Sequence, residues 1–173
     1  MTKVIAFGAS TSANSINKKL ATHVARLIDN NSEVLDLNAY EVGLYSTDQE
    51  NKLGIPEQIK LFNAKIRSAN IIVISLAEHN GSYAAAFKNI FDWSSRENPK
   101  VFEGKKMLLL STSPGPRGGL SVLETAASRF PFHGAQIIGK LAFPSFQNNF
   151  DDQIGIKNPD LKIEIDKLVT AIK

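Results

Sequence analysis

Cysteine is absent from this 173-residue chain. That excludes disulfides, thiolate metal sites and a cysteine nucleophile, and it fits a reducing compartment. Long apolar runs are also missing. None approaches the roughly 20 residues that cross a bilayer, and the opening Met-Thr-Lys-Val-Ile-Ala-Phe passes straight into strand-like sequence without an apolar leader. The expectation is therefore a soluble cytoplasmic protein with no membrane partner. Histidine is scarce, and His23, His79 and His133 lie far apart with no i,i+4 pairing, so no metal site is expected. Ser82 does not stand in G-x-S-x-G and no Ser-His-Asp arrangement can be nominated, so a serine nucleophile lacks support. The Gly-Lys-Ser/Thr of a P-loop is missing, and Gly8 lacks the spaced glycines of the dinucleotide fingerprint. Positive charge lacks a focus as well. The formal charge is +3 and the pI about 9.1, but the densest basic group is Lys100, Lys105 and Lys106, too dispersed for a nucleic-acid footprint.

What the chain does contain is an alternation of two periodicities. Lys3 to Phe7 is a short apolar run, and Ile16, Leu20, Val24, Leu27 and Ile28 follow at helical spacing. Glu33 to Leu37 reads as a second strand, Asn38 to Ile55 as irregular, and Pro56 as the start of a helix carrying Ile59, Leu61, Phe62 and Ile66. Ile71 to Leu76 is apolar without alternation, as expected of a strand buried on both faces of a parallel sheet. A loop through Tyr83 leads to a helix from Ala84 to Arg96. A fourth strand at Lys105 to Ser111, a helix at Leu120 to Phe130, a fifth strand at Gln136 to Ala142 and a terminal helix at Asp160 to Lys173 complete the pattern. This predicts one α/β domain over residues 1–173, a doubly wound five-stranded parallel sheet in the order 2-1-3-4-5. In that order the loops after Phe7, Leu76 and Leu110 converge at the carboxyl ends of the strands, where such sheets bind ligands.

Each loop has a chemistry. The first offers Ser10, Thr11, Ser12, Ser15 and Asn17, with Ile16 opening a helix whose free N–H groups and dipole favour an anion. The same residues serve equally as a helix cap and loop filler. The loop after the third strand carries Glu78, His79, Asn80 and Gly81, in which a flat imidazole can lie against an aromatic ligand or face solvent. Ser111, Thr112, Ser113, Pro114 and Gly115 make a small, proline-fixed backbone able to approach a ring closely, or an ordinary strand-to-helix turn. Asp151 and Asp152 read as a solvated turn. On the helix after Tyr83, Phe87, Ile90, Phe91 and Ser94 share one side while Trp93 lies on another with Ala86 and Asn89, a second apolar side that suggests a partner surface or core beneath a loop.

Taken in order, Gly8-Ala-Ser-Thr-Ser-Ala-Asn-Ser-Ile-Asn-Lys-Lys-Leu20, Ala77-Glu-His-Asn-Gly-Ser82, Phe87-Lys-Asn-Ile-Phe-Asp-Trp93, Ser111-Thr-Ser-Pro-Gly115 and Arg117-Gly-Gly119 resemble the NADPH-dependent FMN reductase family, whose fold is flavodoxin-like. The resemblance implies FMN with its phosphate on Ser10, Ser12, Ser15, Ile16 and Asn17. It also implies an isoalloxazine ring against Glu78, His79, Asn80 and Gly81, wrapped by Ser111 to Gly115. Hydride would pass from NADPH or NADH through the flavin to a small acceptor (a quinone, azo compound, metal oxyanion or free flavin) in a homodimer or homotetramer. A flavodoxin-type electron carrier and a flavin-free binding domain are the alternatives that this fold admits. The chain departs from the family pattern at Ala77 in place of Pro, His79 in place of Tyr and Ser12 in place of Arg. Loss of that guanidinium weakens a phosphate contact by about 1.5–3 kcal/mol if nothing replaces it.

Overall fold

The computed structural model describes residues 2–173, so Met1 lies outside the described residues. Its main sheet has five parallel strands: β1 (Val4–Ala9), β2 (Glu33–Leu35), β3 (Ile71–Leu76), β4 (Lys106–Thr112) and β5 (Gln136–Phe143). They lie in the order β2-β1-β3-β4-β5, as the alternation of elements predicts. β1 and β3 pair over their full length, from Val4 opposite Ile71 to Ala9 opposite Leu76, which sets the loops that follow them side by side.

The absence of alternation in Ile71–Leu76 has the expected cause. Ile72, Ile74 and Leu76 enter the core on one face, and Ile71 and Val73 that on the other. On the first face the sheet is covered by α3 (Glu57–Ser68), α4 (Ala85–Glu97) and α5 (Leu120–Arg129). On the second it is covered by α1 (Ile16–Ile28) and the terminal helix Pro159–Ile172. Among the described residues no helix is long and apolar enough to cross a membrane, and no group of three His, Asp or Glu is placed to hold a metal.

Three stretches differ from expectation, the first being β2, which ends at Leu35 instead of Leu37. Residues 38–55 are not wholly irregular: a 3-10 turn at Leu37–Tyr40 is followed by α2 (Thr47–Leu53), capped by the Ser46 hydroxyl and stopped at Gly54 with φ 71°. No residue of α2 is buried, so it carries no apolar stripe to betray it. The segment after β3 is a β-hairpin rather than a loop. Glu78–His79 pair antiparallel with Ser82–Tyr83 around Asn80-Gly81, whose φ values of 52° and 76° suit the tight turn that Asn-Gly favours.

The partner-surface reading of Trp93 is corrected. Its side chain is 2 % exposed, its indole N–H donates to the Gly43 carbonyl at 2.9 Å, and its ring meets Tyr45 edge-on at 5.0 Å. Asn89, one turn earlier, donates to the carbonyls of Val42 and Gly43 and accepts the Tyr45 N–H. The second apolar side of α4 is therefore core beneath the chain's own 42–45 segment.

Candidate functional site

The three nominated loops meet at the carboxyl edge of the sheet in an open cleft of about 250 Å³. Its lining includes Ser10, Ser12, Ser15, Ile16 and Asn17 from the first loop, Glu78 and His79 from the hairpin, and Thr112, Ser113 and Pro114 from the third. Asn80 and Gly81 form the exposed tip of the hairpin above it, and Gly115 stands just beyond Pro114. Asn14, Ala77 and Gln147 also line the cleft and escape sequence reasoning. Gln147 lies in the short helix after β5, stapled to the third loop by Ser145 N–H to the Gly115 carbonyl and Phe146 N–H to the Ser113 carbonyl. The position of that loop, after a fifth parallel strand, is the signal that would have nominated it.

The first loop ends in a built helix N-terminus. Ser15 caps α1, its hydroxyl oxygen accepting the Lys18 N–H at 3.1 Å, while the N–H groups of Ile16 and Asn17 have no acceptor within the helix. Ser10 and Ser12 complete a ring of hydroxyls, with the Ser12 N–H donating to Ser10 Oγ. Such a terminus receives an anion.

Several predicted contact residues turn inward instead. Asn17 is 3 % exposed, and three of its amide's hydrogen bonds are made within the protein. Oδ1 accepts the Ser75 hydroxyl at 2.7 Å and the Thr112 N–H at 3.1 Å, and Nδ2 donates to the Thr112 carbonyl. The Asn17 side chain thus cross-links α1, β3 and β4 at the edge of the cleft. Ser111 and Thr112 are buried, their hydroxyls donating to the carbonyls of Gly118 and Phe143. The Glu78 carboxylate accepts the Val122 N–H at 3.0 Å, in the first turn of α5. Of the nominated residues that line the cleft, Ser12, His79 and Pro114 are exposed and Ser10 and Ser113 partly so.

No lysine or arginine lines this cleft. Lys18 and Lys19, on the first turn of α1, are each drawn away by a carboxylate at 2.6 Å, Asp36 and Asp152. The Lys18 ammonium and the Asn38 N–H hold the Asp36 carboxyl down to about 2. Nothing among the lining residues takes the place of the guanidinium that Ser12 lacks, so an anion here meets N–H groups, hydroxyls and a helix dipole only.

A doubly wound sheet of order 2-1-3-4-5, with an open cleft over β1, β3 and β4 and a helix terminus at its edge, defines a flavodoxin-like protein. Residues 2–148 match the sequence profile of NADPH-dependent FMN reductases, and the chain belongs to that family. It is similar to the uncharacterized MG342 homolog of Mycoplasma pneumoniae, with 31% identity over 157 residues, 88% of this chain and 93% of that protein. Similarity extends to the quinone reductase of Escherichia coli K12, with 28% identity covering 88% of this chain and 83% of the enzyme. Among solved structures, FerB, a flavoenzyme NAD(P)H:(acceptor) oxidoreductase of Paracoccus denitrificans, superposes with a TM-score of 0.77 at 19% identity over 99% of this chain and 97% of FerB.

Proposed function

We propose that the chain, residues 1–173 as a single domain, is an FMN-dependent NAD(P)H oxidoreductase. Bound FMN would supply the redox chemistry, taking hydride from NADPH or NADH and passing electrons to a quinone, azo compound, metal oxyanion or free flavin. The observation that carries this reading is the convergence of all three family loops on one cleft, with an anion-receiving helix terminus at its far end. Ser10, Ser12 and Ser15 with the N–H groups of Ile16 and Asn17 hold the phosphate. The backbone of Glu78 to Gly81 and of Ser111 to Gly115 flanks the ring, and His79 supplies the flat contact that tyrosine provides in the family pattern. No side chain acts as acid or base. Cytoplasmic location and a homodimer or homotetramer belong to the same reading.

The test is to purify the protein, record its visible flavin absorbance, and follow NADPH and NADH oxidation with a quinone, with and without added FMN. Absence of both flavin binding and nicotinamide oxidation overturns the proposal, and flavin binding without nicotinamide oxidation makes the protein an electron carrier. A gain-of-affinity variant tests the phosphate assignment. Ser12→Arg returns a guanidinium to a cradle that has no cation, and FMN is expected to bind about tenfold to hundredfold more tightly, with a steeper salt dependence. An unchanged Kd in titrations of the apoprotein would place the phosphate elsewhere.

A further inference from the structure

Glu78 occupies an unusual position for a residue expected to face a ligand. Its carboxylate caps a helix that begins far along the chain: Oε2 accepts the N–H of Val122, the third residue of α5. That helix has no cap of its own, because the residue before it is Gly119, with no side chain and φ 76°. The approach is close, since a Cβ on Gly119 would stand 3.1 Å from the Ser111 Cβ and 3.6 Å from the Glu78 Cβ. On the opposite strand of the hairpin, Glu78 pairs with Tyr83, which is buried and lies parallel to Phe130, at the end of α5, with ring centroids 6.2 Å apart. Burial raises the Tyr83 phenol to about 12 and leaves its hydroxyl without a hydrogen-bond partner, so packing alone joins that side chain to the end of α5. The hairpin thus touches α5 at both ends, and its exposed tip, His79 to Ser82, projects from a base fixed on that helix.

The segment that leads into α5 is the opposite wall of the cleft. Ser113 and Pro114 line it, and Ser111 Oγ donates to the Gly118 carbonyl, tying the turn back onto β4. A side-chain acceptor spanning the two walls fixes their separation, and a hydrogen bond to a free N–H in the first turn of a helix is how caps do so.

We propose that Glu78 is a positioning residue for the flavin slot: by capping α5 it locks the hairpin to the Ser113–Gly119 turn and sets the gap that a planar ring enters. This rests on the flavin reading above. Its carboxylate acts through the two walls and makes no contact with the reacting atoms.

The experiment compares FMN affinity, the visible spectrum of bound flavin and thermal stability in wild type, Glu78→Ala, Glu78→Gln and Asn158→Ala. Asn158 caps the terminal helix, accepting the N–H groups of Asp160 and Leu161; its amide also donates to Asn149 Oδ1 at 3.3 Å, but neither Asn158 nor any of these partners lines the cleft, and it serves as a stability control. Glu78→Ala is expected to weaken FMN about tenfold or more and to shift the flavin bands towards those of free FMN. Glu78→Gln, whose amide oxygen accepts the same bond, should restore most of the affinity, and Asn158→Ala should leave it unchanged while lowering the melting temperature. Unchanged FMN affinity in Glu78→Ala overturns the proposal. So does equal weakening by Asn158→Ala, which would mark a general stability effect, or equal weakening by Glu78→Gln, which would make the charge rather than the bond responsible. Should Glu78→Ala not fold, Glu78→Asp, one methylene short of Val122, carries the same comparison. Failure of wild type to bind FMN at all would instead remove the flavin reading itself.

Discussion

Asn17→Ala is expected to lower unfolding stability by about 3 kcal/mol and to abolish FMN binding with it. Removal of the amide strands the Thr112 N–H and the Ser75 hydroxyl, both buried, and each unsatisfied group costs about 1–3 kcal/mol. In a chain of this length that lowers the melting temperature by roughly 6–12 °C. The effect on the site follows from what Asn17 joins, because its bonds to Ser75 and Thr112 hold the start of α1 against β3 and β4. Without them the proposed phosphate cradle and the third loop lose their common anchor. Asn17→Asp gives a sharper reading. A carboxylate accepts the same two bonds but cannot donate to the Thr112 carbonyl at 3.1 Å, and it places a charge in the interior. Only its protonated form can donate, so the folded state should raise the aspartate pKa above its unfolded value of about 3.9. The deficit relative to wild type should therefore be small below that value and grow as pH rises towards the folded pKa. Chemical denaturation from pH 3.5 to 8 measures it; a pH-independent difference would show that the donated bond does not matter.

The case of Asn17 explains which parts of this protein are legible in its sequence. Burial on both faces leaves a direct mark, so Ile71–Leu76 identifies itself as a central strand and the succession of elements yields the sheet order. Location of the cleft follows from topology alone, since the carboxyl ends of β1, β3 and β4 must be neighbours. The direction of a small polar side chain leaves no such mark. Ser, Thr and Asn cap helices, bridge strands and hold ligands with the same atoms, and the partner that decides for Asn17 lies 95 residues away. Ser111 and Thr112 are hidden by the same ambiguity, with acceptors on Gly118 and Phe143. Trp93 illustrates a different limit: an apolar side on a helix reads alike whether a second subunit or the chain's own Gly43 and Tyr45 cover it. Some local signals were present and outweighed. Asn80-Gly81 between short polar and aromatic residues is a hairpin signature, and Ser46 with Gly54 brackets α2, but neither element has the apolar periodicity by which the others declare themselves.

Gly8→Ala is expected to be at least as damaging, for a steric reason. A Cβ at this position would lie 2.3 Å from the Lys18 nitrogen, 2.7 Å from the Lys18 Cα and 2.8 Å from the Asn17 carbonyl carbon. All three are backbone atoms of the first turn of α1, so no rotamer change relieves the clash and the helix itself must retreat from β1. Overpacking of this kind costs about 1–3 kcal/mol, and more where rigid elements meet. The retreat carries away the Ser15 cap, the free N–H groups of Ile16 and Asn17, and the Asn17 bonds to Ser75 and Thr112 together. The glycine is therefore needed for the close seating of a helix terminus on the sheet, rather than for a left-handed backbone or the closeness of a ligand. Gly43→Ala supplies the contrast, because a Cβ there meets nothing within 4 Å and should leave stability nearly unchanged. Thermal unfolding with FMN titration of both variants checks the assignment. Tight FMN binding by a Gly8→Ala protein of normal stability would show that α1 can be seated farther from β1 without loss, and that the cradle does not depend on this contact.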